Sequence, residues 1–252
     1  MNKLPQITLA FWVMKICATT LGETAGDLLS MTLNVGYALS SLILISVFVL
    51  TLITQLMAKT YKPLLYWIVI LSTSTAGTTM SDFMDRTLGL GYATGSMILI
   101  AILLAIFAAW RLSGDSLNVS KVQTFRGEMF YWMAILFSNT LGTALGDYLA
   151  DDSGLGFAGG ALLIGSTIAV VVLLKYFTKI SSVLLFWVAF VLTRPFGATL
   201  GDLMTKSHEK GGLDFGTIGS SSVLAAILLV MIVGASYAQK RYGKPQVVAE
   251  LS

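Results

Sequence analysis

Long apolar stretches alternate with short polar segments along the whole sequence. A helix needs about 20 mainly apolar residues to cross the hydrocarbon core of a lipid bilayer. Eight stretches have this length and character, and each predicts a transmembrane helix with limits good to a few residues. They lie at 8–33, 37–58, 63–88, 92–111, 128–150, 157–178, 182–206 and 216–238. The predicted fold class is therefore an all-α integral membrane protein with eight transmembrane helices.

A motif that occurs four times groups the predicted helices into pairs. In each copy a tryptophan is followed by a glycine ten residues later and by an aspartate 15 residues later. The first helix of each pair carries the motif, and the second is mainly aliphatic. The four tryptophan–aspartate pairs are Trp12/Asp27, Trp67/Asp82, Trp132/Asp147 and Trp187/Asp202. Such internal similarity predicts four structural repeats of two helices each.

The spacing of the tryptophans indicates how the repeats arose. Successive tryptophans are 55, 65 and 55 residues apart, so repeats one and two match repeats three and four at an offset of 120 residues. This pattern predicts a nested duplication. Residues 1–112 hold repeats one and two, residues 113–127 form a polar linker, and residues 128–252 hold repeats three and four.

The basic residues predict the orientation of the helices. Twelve Lys and Arg residues fall on the side where the tryptophans begin, and three fall on the aspartate side, namely Arg86, Lys206 and Lys210. Because Lys and Arg are enriched in cytoplasmic loops, the tryptophan side, the linker and both termini are predicted to be cytoplasmic. Lys15 lies three residues after Trp12, and we expect its side chain to extend to the cytoplasmic surface.

Composition supports a membrane location and limits the chemistry. Hydrophobic residues make up 56% of the 252 residues and charged residues only 12%, with a mean hydropathy of +0.81, whereas soluble domains have about 25% charged residues. The net charge of +3 is too small to predict nucleic-acid binding, and a single cysteine and a single histidine argue against the usual zinc or copper site. The expected surroundings are a lipid bilayer, with a multi-pass location in the cell (inner) membrane, and the sequence leaves a homo-oligomer open.

The four aspartates are the first candidates for function. A helix rises about 1.5 Å per residue, so each aspartate is expected about 22 Å beyond its tryptophan, in the outer half of the hydrocarbon core. A carboxylate at that depth is costly unless it faces water or a partner, so four of them in related helices are expected to converge on one axis. Polar residues on the same helical face are Glu23, Thr78 and Thr143, then Thr20, Thr75 and Thr140, then Thr19, Ser74, Asn139 and Arg194.

These residues predict an ion-binding site inside the membrane. Oxygen ligands favour hard cations such as Mg²⁺, Ca²⁺ or Mn²⁺, and clustered carboxylates also bind protons. Nearby methionines at 31, 80, 84 and 204 favour the softer Mn²⁺. Whether the aspartates form one site or two pairs stays open. The predicted metal ligands are Glu23, Asp27, Asp82, Asp147 and Asp202, and the wider ion-binding set adds Thr78, Asn139, Thr143 and Arg194.

Packing gives an alternative account of part of the motif. Gly22 and Gly26, like their counterparts in repeats three and four, are small residues four apart, which let membrane helices approach closely. Threonine and aspartate side chains also bond between membrane helices without any transport. We expect a packing role for the glycines and a functional role for the carboxylates.

Arg194 breaks the symmetry of the repeats. It stands where the other copies have Thr19, Ser74 or Asn139, and Pro195 follows it. An arginine near the middle of the membrane needs a carboxylate partner, for which Glu23 or one of the aspartates is expected. Two roles stay open, a static ion pair and an internal cation that occupies the site in one state and leaves it in another. Pro195 is predicted to kink or interrupt its helix because it lacks a backbone N–H.

The repeats resemble a bacterial family of uncharacterised membrane-anchored proteins. The resemblance rests on four tandem copies, each with two spans, a tryptophan and a closing Gly-Asp such as Gly26-Asp27, and it covers nearly the whole chain. Ser81 replaces the glycine in the second copy and Pro195 the threonine in the fourth, so the repeats are not fully equivalent. The resemblance implies the eight-helix architecture and no particular activity.

Three functions fit these residues. The first is a membrane transporter that exchanges a divalent cation such as Mn²⁺ for protons at the carboxylates; no Gly-x4-Gly-Lys-Ser/Thr motif is present, so transport would use an ion gradient. The second is an intramembrane hydrolase that uses two aspartates as an acid–base pair, although four equivalent carboxylates suit binding better. The third is a structural membrane subunit. We favour the transporter, with no catalytic residues and no cofactor apart from the transported cation.

Overall fold

The computed structural model describes residues 3–242. Residues 1–2 and 243–252 lie outside the described part, and with them both predicted cytoplasmic termini and one of the counted basic residues, Lys244. The described residues form eight long helices and contain no strand, which confirms the all-helical fold class. The helices are α1 (Leu9–Asp27), α2 (Tyr37–Met57), α3 (Pro63–Asp82), α4 (Tyr92–Leu112), α5 (Phe125–Asp147), α6 (Gly156–Phe177), α7 (Ser182–Thr205) and α8 (Thr217–Tyr242).

Five of these helices are long and apolar enough to cross a membrane. They are α2, α4, α6, α7 and the part of α8 at Thr217–Gln239. The motif helices α1, α3 and α5 are of similar length but more polar, and their polar side chains are buried. In α3, for example, Ser74, Thr78 and Asp82 are 0%, 0% and 2% exposed. These helices are polar because they face the interior of the protein.

The four motif helices α1, α3, α5 and α7 form a closed ring. Each contacts two others, in the order α1, α3, α5, α7 and back to α1. The second helix of each repeat packs outside the ring, against the motif helix of the next repeat: α2 on α3, α4 on α5, α6 on α7 and α8 on α1. The repeats are therefore interlocked, and the last helix completes the circle on the first.

Glycines let the ring helices approach closely. The glycine five residues before each aspartate packs against the residue eight before the aspartate of the next helix. At Gly77 an added Cβ atom would lie 2.9 Å from the backbone carbonyl carbon of Asn139, too close for any side chain. The structure thus gives these glycines the packing role expected of them. The four contacts are Gly22–Ser74, Gly77–Asn139, Gly142–Arg194 and Gly197–Thr19.

The fourth motif helix ends differently from the other three. α1, α3 and α5 each continue beyond the aspartate in one π-helical turn, at Leu28–Thr32, Phe83–Thr87 and Tyr148–Asp152. α7 has no such turn: it ends at Thr205, and a short 3-10 helix follows at His208–Lys210. The chain therefore leaves the helix three residues after the fourth aspartate, whereas in the other three repeats it stays helical for five residues.

The structure corrects one prediction about these helices, that Pro195 interrupts its helix, and places the helix limits within a few residues of those predicted. Pro195 does not interrupt its helix, since α7 runs from Ser182 to Thr205 with the proline inside it. α5 begins at Phe125, three residues earlier than the predicted start. The reason is that the Thr124 hydroxyl accepts a hydrogen bond from the Gly127 backbone N–H at 2.9 Å and caps the helix.

Aromatic side chains cover the end of the ring where the tryptophans lie. Trp67, Trp132 and Trp187 are 2%, 0% and 5% exposed. The hydroxyls of Tyr66 and Tyr131 hydrogen-bond to each other at 2.7 Å. The Trp187 indole N–H donates to the carbonyl of Leu117 in the linker at 3.0 Å. This aromatic layer and the linker together separate the axis of the ring from the surface at the tryptophan end.

Candidate functional site

Matching residues of the four motif helices meet at the ring axis in layers one helical turn apart. The residues of all three layers are at most 3% exposed, so the predicted polar stripe does face the interior. We call the three layers together the axial column. The carboxylate layer is Asp27, Asp82, Asp147 and Asp202; the threonine layer is Glu23, Thr78, Thr143 and Ala198; and the middle layer is Thr19, Ser74, Asn139 and Arg194.

Arg194 fills the centre of the column. Its side chain starts in the middle layer and reaches the threonine layer, where Nη2 lies 2.8 Å from Oε2 of Glu23. The same nitrogen donates to the hydroxyls of Thr78 and Thr143, at 2.5 and 2.6 Å, and Nη1 donates to the backbone carbonyl of Thr19 at 3.2 Å. One guanidinium thus contacts α1, α3 and α5 at once, and its carboxylate partner is Glu23, the first of the partners expected.

The four aspartates share one layer but are divided into two bridged pairs. Arg86 joins Asp82 to Asp147: its Nε lies 3.0 Å from Oδ1 of Asp82, and its Nη2 lies 3.1 Å from Oδ2 of Asp147. Lys206 joins Asp27 to Asp202, with its Nζ 2.6 Å from Oδ2 of Asp27 and 3.0 Å from Oδ1 of Asp202. Each bridge connects two neighbouring ring helices. The structure therefore combines the two arrangements that the sequence left open.

Sequence reasoning missed the roles of Arg86 and Lys206. On the sequence alone, both count only as basic residues on the aspartate side. Each stands four residues after an aspartate, and the two are 120 residues apart. Residues four apart lie on one helical face, so the spacing was a usable signal. The other two repeats have Met31 and Asp151 at this position. The bridges thus follow the twofold pattern of the nested duplication.

The basic partners balance only part of the negative charge in the column. Glu23 and the four aspartates carry five negative charges when ionised, and Arg86, Arg194 and Lys206 supply three positive charges in ion pairs with them. Oxygens of Glu23, Asp147 and Asp202 lie within 4.8 Å of one another. A hard cation binds oxygen ligands at about 2.3–2.6 Å, so one cation could contact all three. One divalent cation or two protons would neutralise the excess.

Some of the predicted site residues do not reach the carboxylates. The Asn139 amide nitrogen donates to the Thr73 hydroxyl at 2.9 Å and so links α5 to α3. Thr20, Thr75 and Thr140 donate instead to backbone carbonyls of their own helices, at 2.9, 3.1 and 3.0 Å. Short hydroxyl side chains commonly bond in this way to the preceding helical turn. These hydrogen bonds of the three hydroxyls therefore stay within their own helices.

The methionines give little support for a soft metal. Met80 and Met84 line a groove against α2 together with Ala38 and Phe83. Met31 is 38% exposed. Met80 and Met84 thus line a groove shared with α2, and this position adds no support for Mn²⁺. The ligands that the column offers to a cation are oxygens.

Lys15 does not extend to the surface as predicted. The side chain is 0% exposed, Nζ has no hydrogen-bond partner, and it lies 4.2 Å from the centroid of the Phe190 ring. The reason is its position on the helix, one turn before Thr19 on the face that points to the axis. The buried Leu4 and the aromatic layer cover this end of the ring. A fourth basic residue therefore lies inside the protein, between Arg194 and the tryptophan end of the ring.

The ring and its buried ion pairs define a class of protein: all-helical, built of four tandem two-helix repeats, with helices suited to a membrane and charged residues on the axis. The chain belongs to the family described as Repeat of Unknown Function (DUF347), which matches residues 10–61, 65–116, 130–181 and 185–242. The four matches coincide with the four helix pairs and confirm the predicted internal repeats. Comparison with curated proteins and with solved structures finds no match.

Proposed function

We propose that the protein is a membrane transporter for cations, which exchanges a divalent cation such as Mn²⁺ for protons at the axial column. The excess of two negative charges among the buried ion pairs carries this proposal. Each carboxylate has a basic partner, but Arg86 and Lys206 are each shared by two carboxylates. Burying charge that is not fully compensated is costly, so counter-charge from outside the chain would stabilise the column. Either one divalent cation or two protons can supply this counter-charge. A site that binds the two in turn would exchange the cation for protons.

Eight transmembrane helices are part of this proposal. α1, the shortest, has 19 residues, which at about 1.5 Å per residue is close to the thickness of a hydrocarbon core of about 30 Å. The polar residues of α1, α3 and α5 face the ring axis, an arrangement that lets polar helices cross a membrane. The distribution of Lys and Arg supports cytoplasmic termini and a location in the inner membrane.

The described conformation suits a closed state of such a transporter. The aromatic layer covers the tryptophan end, Arg194 fills the middle of the column, and the bridges through Arg86 and Lys206 lie across the carboxylate layer. Transport then requires the ring helices to move apart at one end at a time, as in other transporters built from repeats around a central site. Arg194 acts as the internal cation that holds Glu23 while the site is closed.

Transport by purified protein tests the proposal. In proteoliposomes with an imposed pH gradient, wild-type protein should take up Mn²⁺, whereas Asp27→Asn and Asp147→Asn, one from each bridged pair, should abolish uptake. Asp152→Asn is the matched control, because Asp152 is exposed and lies outside the column. Uptake that survives in both column variants would contradict the proposal, provided that all variants elute as folded protein in size-exclusion chromatography.

A structural subunit is the second candidate, and one observation favours it. Each aspartate bridge joins neighbouring ring helices, α3 to α5 and α7 to α1, which is also what a purely structural role requires. This alternative predicts that asparagine at all four aspartate positions lowers stability modestly and that the wild type shows no ion flux. The proteoliposome experiment therefore separates the two candidates.

A further inference from the structure

The two basic residues that bridge the aspartate pairs occupy matching positions in the sequence, but they differ in backbone structure. Arg86 lies within the π-helical turn Phe83–Thr87. Lys206 is the first residue after α7, and its backbone is extended with φ −72° and ψ 153°. One bridging side chain thus starts from a helix and the other from a loop.

Arg86 is held at several points. Its guanidinium contacts two carboxylates and also donates through Nη1 to the hydroxyl of Tyr37 at 3.2 Å. The guanidinium carbon lies 5.9 Å from the ring centroid of Tyr37 and 5.6 Å from that of Tyr92. A planar guanidinium that stacks on aromatic rings and donates in fixed directions is a rigid bridge. Displacing it would break all these contacts together.

The side chain of Lys206 bridges the two carboxylates through its ammonium group. Nζ contacts Asp27 and Asp202, and among the described residues no aromatic ring packs over it. A lysine ammonium is a compact charge on a flexible four-carbon stem, so it occupies the space between two carboxylates much as a small metal ion would. Oδ1 of Asp202 and Oδ1 of Asp82 each lie 3.0 Å from their basic partner without a well-aligned hydrogen bond, so the two pairs differ in the basic side chain that bridges them and not in these oxygens.

Further oxygen ligands lie beside this pair. The carboxylates of Glu23 and Asp147 approach that of Asp202 within 4.8 Å. If the ammonium of Lys206 leaves, Asp27 and Asp202 therefore form, with these neighbours, a set of oxygen ligands of the kind that divalent cations prefer. The Arg86 pair differs because its guanidinium also contacts Tyr37 and Tyr92, so its bridge is harder to displace.

We propose that the transported cation binds between Asp27 and Asp202 in the place of the Lys206 ammonium, while Arg86 stays in position and keeps Asp82 and Asp147 together. This inference rests on the proposed transport function and names the half of the carboxylate layer that exchanges. Lys206 then competes with the cation for this site. The more of the time its ammonium occupies the site, the weaker the apparent affinity for the cation becomes.

Calorimetric titration of the full-length protein in detergent with MnCl₂ tests the inference. Removing a competitor that occupies the site about nine-tenths of the time tightens binding about 10-fold, so Lys206→Met should lower the apparent Kd for Mn²⁺ by at least that factor. Lys206→Gln repeats the test with a polar side chain, in case the methionine variant fails to fold. Arg86→Met is the matched control, because it removes the same charge from the other pair, and it should tighten binding by a clearly smaller factor than Lys206→Met.

The outcomes distinguish this inference from the function on which it rests. Equal tightening in Arg86→Met and Lys206→Met would show a general charge effect and overturn the assignment of Lys206. An unchanged Kd in both Lys206 variants, with binding by the wild type, would also overturn it and leave the transport proposal standing. No binding of Mn²⁺ by the wild type or by either Lys206 variant would overturn both.

Discussion

The guanidinium of Arg194 and the carboxylate of Glu23 lie 2.8 Å apart at the centre of the ring, with their side chains 0% and 3% exposed. Glu23 belongs to the first repeat and Arg194 to the last, so this ion pair joins the two ends of the sequence. The hydroxyls of Thr78 and Thr143 also donate to this carboxylate of Glu23, each at 3.4 Å. All four repeats therefore meet at one pair of charges or beside it.

Removing one member of this pair should be more harmful than removing both. Glu23→Gln or Arg194→Met alone leaves a buried charge without its partner, which costs about 3–5 kcal/mol of unfolding free energy. The double variant removes both charges and should be more stable than either single variant. Denaturant titration in mixed micelles, followed by circular dichroism, measures the three differences. Costs that simply add in the double variant would show that the two charges do not stabilise each other.

Replacing Lys15 should stabilise the protein. Its ammonium is buried without a hydrogen-bond acceptor, and contact with the Phe190 ring recovers about 2 kcal/mol at most. Lys15→Met keeps a similar length and removes the charge, so Tm should rise by at least about 2–4 °C, the shift that 1 kcal/mol gives for a chain of this size. Lys59→Met, at an exposed lysine, is the control and should change Tm little. A lower Tm for Lys15→Met would mean that the charge has a partner in the native ensemble.

Two glycines should respond in opposite ways to the same substitution. Gly77→Ala places a Cβ atom 2.9 Å from the backbone of Asn139 and should destabilise the ring by about 1–3 kcal/mol through overpacking. Gly234 lies in α8, where an added Cβ atom meets nothing within 4 Å, and alanine there should stabilise the helix by up to about 1 kcal/mol. Thermal unfolding of both variants measures this contrast. Equal effects at the two sites would contradict the close packing of α3 on α5.

The polar face of the motif helices was readable from the sequence because it obeys a simple period. Asp82, Thr78 and Ser74 are four residues apart, which places them on one face of any α-helix. Four copies of that face, together with the cost of carboxylates in a membrane, predict their convergence. The glycines likewise signalled close helix packing before any contact was known.

Other features depend on relations between helices that no local pattern records. The position of Lys15 near the predicted membrane surface suggests that its side chain extends to water. Its helical face points to the ring axis instead, and the packing of the helices buries it. Proline breaks helices in general, yet α7 continues through Pro195 from Ser182 to Thr205. The packing of α8 on α1 joins segments about 200 residues apart, which spacing within one repeat cannot reveal.

The offset packing of the second helices bears on how a shorter ancestor would have folded. Each of these helices lies against the motif helix of the following repeat, and only α8 returns to the start of the chain. In a chain with just two repeats, the last helix would correspond to α4. Because α4 packs on the first helix of the third repeat, this last helix would pack on the first helix of a second copy. Two such chains, each lending its final helix to its twin, would assemble the same ring as a domain-swapped pair, and fusion of their genes would give the present single chain.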